Sequence, residues 1–366
     1  MDVREYKCPC CGGNLAFNSE LGKLHCPFCE NDFDISVFKE YEKAVEHTGK
    51  EDNYNWNHPS GEWKEEGKGE RKIYRCSSCG GEIDASDTTI AAECPYCGSS
   101  AILPEQVSGT YRPDIVLPFK ISKDEAQNIY KEFCRGKGLL PKAFTDEKKL
   151  GEMRGIYVPY WLFSCVAEGA VNYEGKKVKK WKQGDRERIQ TDYYMLLREG
   201  RVPFEYVPVD GSLSLDDTHM ESIEPYNMEE GVAFEEAYLS GYDAEKYDVS
   251  EKECEPRANE RIKKSFGEVL QRTVGKGRYT AVSLKDSRVT LRDGKVQYAL
   301  LPVWVMDVEY DGGHYRYMIN GQTGKIAGDF PVSSGLLIKR AAILFGGSTA
   351  AIFVLLNIVR LILTLT

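Results

Sequence analysis

Apolar and polar positions alternate along this chain with changing periods, and the period predicts the element. Ser122 to Gly136, SKDEAQNIYKEFCRG, reads as a helix with Ser122 as N-cap and Glu125 completing a capping box. Glu260 to Val274, ERIKKSFGEVLQRTV, puts Ile262, Phe266, Val269 or Leu270, and Val274 on one helical face. A shorter helix is expected over Ile35 to His47, where Val37, Tyr41 and Ala44 or Val45 recur at helical spacing. Two stretches change to strand character behind a Pro-x-Trp step, Pro159-Tyr-Trp161 and Pro302-Val-Trp304. Each opens a strand that leads into a glycine turn, SCVAEGAVNYEGK in one and MDVEYDGGHYRYMINGQTGK in the other. Helix followed by antiparallel strands, twice, predicts an α+β body of two related halves, with the tryptophans as core anchors.

The pattern changes again near the C-terminal end. From Ala341 to Val359 no charge interrupts AAILFGGSTAAIFVLLNIV, and LILTLT follows Arg360. At ~1.5 Å per residue this run is long enough to span a bilayer core. Lys339 and Arg340 stand before it, and the positive-inside rule then puts the preceding bulk in the cytoplasm. The expectation is a single-pass cell-membrane protein with cytoplasmic N-terminal domains. A buried core helix or an oligomerisation helix is the competing reading, and Gly346-x3-Ala350 and Gly347-x3-Ala351 would suit helix contacts in a membrane.

Cysteine spacing identifies the N-terminal part. Cys8-x2-Cys11 with Cys26-x2-Cys29, and Cys76-x2-Cys79 with Cys94-x2-Cys97, align without a gap at one constant offset. Two such pairs complete a tetrahedral S4 shell, so two zinc ribbons holding two Zn2+ ions are expected. Iron suits a similar S4 cage, and oxidised CxxC pairs are the other alternative. Gly12, Gly13, Gly80, Gly81 and Gly98 follow ligands where a knuckle tends to need φ > 0, and Pro9, Pro27 and Pro95 stiffen the turns. Cys10 and His25 read as bystanders, and Cys134, Cys165 and Cys254 as reduced thiols. A module of about thirty residues buries too little to fold without metal.

The expected organisation is therefore a first ribbon at 1–34, a helix and linker at 35–70, and a second ribbon at 71–103. An α+β domain at 104–335 and a membrane anchor at 336–366 follow. The linker DNYNWNHPSGEWKEEGKGE carries Trp56 and Trp63, which suggest docking. No apolar stretch follows Met1, and zinc thiolates imply a reducing compartment.

Charge and motifs narrow the function. A net charge of −9, with acidic residues outnumbering basic ones in each ribbon, argues against nucleic acid as a partner for these modules. Lys176, Lys177, Lys179, Lys180 and Lys182 surround Trp181 and run the other way, as an anionic-lipid contact or an ordinary exposed hairpin. No Walker A, GxSxG or HExxH pattern occurs, and Asp216, Asp217 and His219 read as a solvated helix start. No enzyme and no small-molecule substrate are expected.

The paired ribbons, LPFKISKDEA at Leu117 to Ala126, YVPYW, LPVW, NGQTGK at Asn320 to Lys325 and the apolar terminal segment together resemble the bacterial YdjG-type membrane proteins. Such chains are also labelled TFIIB-type zinc-ribbon proteins or PriA-like helicases, and no nucleotide-binding motif here supports the second label. The resemblance implies a cytoplasmic zinc-ribbon domain held at the membrane that recruits envelope-stress proteins of the phage-shock-protein-A (PspA) or SPFH type. The expected function is a membrane-anchored adaptor or scaffold, with a membrane-tethered nucleic-acid-binding protein as the alternative.

Overall fold

The computed structural model describes residues 8, 13–19, 21–36, 52–57, 72–76, 78–79, 82–85, 89–94, 97, 99–102, 111–137, 139–184, 186–275, 277–331 and 334–365. The fold is α+β and divides into two compact units. Met1–Ser60, Trp161–Val209 and Val249–Tyr298 form one, and Gly61–Tyr160, Asp210–Asp248 and Ala299–Thr366 the other. Most of the helix expected at 35–47, together with Trp63, lies outside the described residues.

In the first unit, Ala16–Asn18, Lys23–His25 and Asp32–Phe33 make a three-stranded antiparallel sheet beside Cys8, Cys26 and Phe33. The larger part is built on long strands and the helix Glu251–Gln271. This helix begins well before the predicted Glu260. A second capping box, Ser250 with Glu253, starts it, and Pro256 sits inside its first turns. Ile262, Phe266 and Leu270 are buried as the periodicity requires, and Tyr173 donates its hydroxyl hydrogen to the Gly267 carbonyl. Trp161 is fully buried with Nε1 donating to the Val249 carbonyl at 2.9 Å.

The linker docks through Trp56. Its Nε1 donates to Asn259 Oδ1 at 3.0 Å, and its ring meets Phe163 edge-on with centroids 5.0 Å apart. Trp56–Asn57 pairs in parallel with Gly294 and Lys295, and a Cβ on Gly294 would lie 2.2 Å from the Asn55 carbonyl oxygen. Glycine is therefore the residue that lets the two backbones meet.

The first Pro-x-Trp strand does not turn where its glycines suggested. Arg154–Gln183 runs straight through Gly169 and Gly175 and turns at Gly184, where φ is 64°. A Cβ at Gly169 would sit 2.0 Å from the Arg288 carbonyl oxygen, and one at Gly175 would sit 2.8 Å from the Tyr279 ring. Both glycines permit close approach, a role that sequence alone does not separate from turning.

In the second unit the strand–turn–strand expectation holds. Val303 to Tyr310 pairs with Gly313–Asn320 across Asp311 and Gly312, both at positive φ. Trp304 Nε1 donates to the Ile121 carbonyl at 2.8 Å. The predicted helix is present as Lys123–Cys134 with the Ser122–Glu125 capping box, and it buries Ala126, Tyr130 and Cys134 against Phe144, Trp304 and Tyr317. Asn320, fully buried, accepts from the Gln322 and Thr323 amides at 2.9 Å each and donates to the Ile223 carbonyl, which fixes the NGQTGK turn. Asp243–Glu245 pairs in parallel with Ile156 and Tyr157 and antiparallel with Thr89–Glu93, which in turn pairs with Ser100–Ile102.

The last described element is the helix Ser334–Leu365. Its segment Leu337–Leu355 is long and apolar enough to cross a membrane, and none of it is buried by the rest of the chain.

Candidate metal centres

In the second ribbon the strands Lys72–Arg75 and Glu82–Ala85 form a hairpin that presents Cys76 and Cys79, while Thr89–Glu93 and Ser100–Ile102 present Cys94 and Cys97. The four Sγ atoms lie within 4.8 Å of one another. Cys76 and Cys97 are 3.6 Å apart, and Cys79 and Cys94 are 3.7 Å apart. A disulfide would hold them at ~2.05 Å. An S4 tetrahedron with ~2.3 Å metal–sulfur bonds has edges of about 3.8 Å. The sulfurs are free thiols, and the four lie close enough together to hold a metal ion.

Local hydrogen bonding favours the thiolate form that a metal needs. The backbone amides of Cys79 and Ser78 lower the Cys76 thiol below its ordinary value. Cys97 is lowered to about 6, first by the Ser99 hydroxyl, whose Oγ is 3.2 Å away, and then by the Ser99 amide.

In the first ribbon Cys8, Cys26 and Cys29 gather in the same way, with Cys8 and Cys29 Sγ atoms 3.5 Å apart. Cys11 lies outside the described residues, as does Cys10. His25 is not in the cluster; its Nδ1 lies 2.8 Å from Asp32 Oδ1. Gly13, described here without positive φ, has a different role: a Cβ there would lie 2.4 Å from the Phe28 ring. Positive φ falls instead on Glu30, at 55°, directly after Cys29.

Two supporting residues were missed in the sequence. Asn31 Nδ2 donates to Cys29 Sγ at 3.3 Å, and its carbonyl accepts from the Cys26 amide at 2.9 Å. Ser99 holds the equivalent place beside Cys97, and its carbonyl accepts from the Cys94 amide at 2.9 Å. The signal was available as a small polar residue two positions after the last cysteine of each repeat.

Elsewhere the candidates disperse. The lysine cluster lies at the end of a strand, beside the Gly184 turn. Lys176 pairs with Glu174 at 3.2 Å, Lys179 reaches Asp192 at 3.9 Å, and Lys177 lies over the Tyr194 ring, while Lys180 and Lys182 are exposed beside a 44% exposed Trp181. Cys134, Cys165 and Cys254 are buried, and burial pushes the Cys165 thiol up to about 11, away from nucleophile chemistry. Asp216 caps the helix Asp217–Ser222 by accepting from the His219 amide.

The chain is 33% identical over 362 residues to YdjG of Bacillus subtilis (strain 168), across 99% of this chain and 98% of that one. No family model and no solved structure matches. At that identity over nearly its whole length, the chain belongs to the YdjG family.

Proposed function

We propose that this protein is a membrane-anchored cytoplasmic adaptor whose paired cysteine modules each hold one zinc ion and present a docking surface to protein partners. The sulfur geometry carries the reading: spacings of 3.5 to 3.7 Å match the edges of a metal tetrahedron and are far too long for disulfides. Cys8, Cys11, Cys26 and Cys29 would hold one ion, and Cys76, Cys79, Cys94 and Cys97 the other. Bound zinc supplies fold stability, on the order of 10–16 kcal/mol of apparent binding energy per site at neutral pH. The cysteines, Asn31 and Ser99 bind and orient; the proposed role is not catalytic. Lys339 and Arg340, before the apolar window, support a cytoplasmic location for the preceding bulk. The partners implied by the family resemblance are PspA-type or SPFH-type envelope-stress proteins.

The test is recruitment from detergent-solubilised membranes by the intact chain and by Cys76→Ser or Cys94→Ser. Loss of the PspA-type or SPFH-type partner, with the variant still in the membrane fraction, is the expected result. Undiminished recruitment contradicts the adaptor reading.

The exposed basic hairpin end around Trp181 favours a second reading, a nucleic-acid-binding protein tethered at the membrane. That reading requires tight, salt-dependent binding of an oligonucleotide, and a flat titration at low salt removes it.

A further inference from the structure

The chain just before the apolar helix is fastened to the second unit. Ile326–Ala327 pairs with Met318 and Ile319, and the Tyr317 hydroxyl donates to the Asp329 carbonyl at 2.8 Å. Phe330 then packs against Phe133, with centroids 4.9 Å apart, and against Tyr317 at 5.2 Å. Lys137 covers this pair, its Nζ 3.6 Å from the Phe330 centroid and 3.9 Å from that of Phe133. From Phe330 to the start of the helix at Ser334 the chain can extend only about 14 Å, at ~3.5 Å per residue. If that helix crosses a membrane, the docked corner must stand close to the headgroups.

The chemistry of the corner suits that position. Lys131, Arg135 and Lys137 are exposed there, and Glu132, an acid on the same helix, is bound to Arg135 at 2.8 Å. Asp329, another nearby acid, has His219 Nε2 3.2 Å from its carboxylate. Half-buried aromatic rings under a cation are the composition of a bilayer interface, and anionic lipid attracts basic residues within about a Debye length.

We propose that residues 326–331 form a strap that seats the Lys131–Lys137 corner on anionic phospholipid headgroups, so that the second unit rides on the bilayer. This rests on the reading of Ser334–Leu365 as a membrane anchor. The anchor sets the distance, the strap removes the slack, and the three cations meet the phosphates.

The test uses the full chain in vesicles of phosphatidylcholine with phosphatidylglycerol, with a photo-crosslinking residue in place of the exposed Glu132. Covalent lipid adduct is expected. It should fall roughly tenfold when about twelve Gly and Ser residues are inserted after Pro331, and again when Lys131, Arg135 and Lys137 are changed to Gln or when phosphatidylglycerol is omitted. The insertion leaves the packed unit intact, so misfolding cannot produce its effect. A chain that floats with the vesicles but gives no adduct, or an adduct indifferent to insertion and lipid charge, overturns the seating alone. A chain that fails to float overturns the anchor reading and the seating with it.

Discussion

Glu30 occupies, in the first ribbon, the place that Gly98 occupies in the second, and it adopts φ of 55° there. A side chain in the left-handed region costs ~1–2 kcal/mol, part of which glycine returns through its larger unfolded-state entropy. Glu30→Gly should therefore strengthen the first ribbon by about 0.5 kcal/mol, seen as slower metal loss to a chelator; faster loss would show that Glu30 has a role of its own. Gly169→Ala should act in the opposite direction. Its Cβ meets a backbone oxygen that cannot rotate away, and overpacking of this kind costs about 1–3 kcal/mol in denaturant unfolding. Asp52 gives a pH signature. Burial alone would raise its carboxyl, but hydrogen bonds from Lys263, at 2.5 Å, and from the Val289 amide outweigh burial and hold it below its usual 3.8. A carboxylate depressed on folding stabilises fully above its unfolded-state value and loses that contribution as pH falls through the folded one. Lys263→Met should cost about 1.5 kcal/mol near neutral pH, at the low end for a charged hydrogen bond because Lys263 is partly exposed, and the cost should shrink below about pH 4. A penalty that does not change with pH would contradict the assignment.

Among elements, those specified locally were legible. The Ser122–Glu125 capping box and the Asp311–Gly312 turn depend on residues a few positions apart, and each stands as its pattern requires; the tryptophans are buried as expected, but their indoles donate to the distant Val249 and Ile121 carbonyls. The start of the Glu251–Gln271 helix is not legible in the sequence, because Pro256 lies inside its first turns and the clear apolar stripe begins only after Glu260. Replacing its N-cap, Ser250→Ala, should lower the unfolding free energy by about 1 kcal/mol, the usual worth of such a cap; no loss would mean that packing alone sets the helix start. Pairing of Thr89–Glu93 with Asp243–Glu245 was also invisible, since a three-residue strand has no readable period and its register comes from distant chain.

Across the molecule, the cysteine framework was legible because metal ligation is written in spacing. The docking of Trp56 on Asn259 and Phe163 was foreshadowed only by an aromatic in a polar stretch. The long-strand regions have extensive cores of Trp161, Phe163, Phe266, Trp304 and Tyr317, whereas Cys8, Cys26 and Phe33 are the buried centre described for the first ribbon. On the proposed reading, the ribbons fold around two zinc ions. Elemental analysis of the full chain, purified from membranes without chelators, tests it most directly: two zinc ions per chain are predicted, falling to one in Cys76→Ser. Iron in their place, or a chain without metal whose cysteines are paired as disulfides, would contradict it.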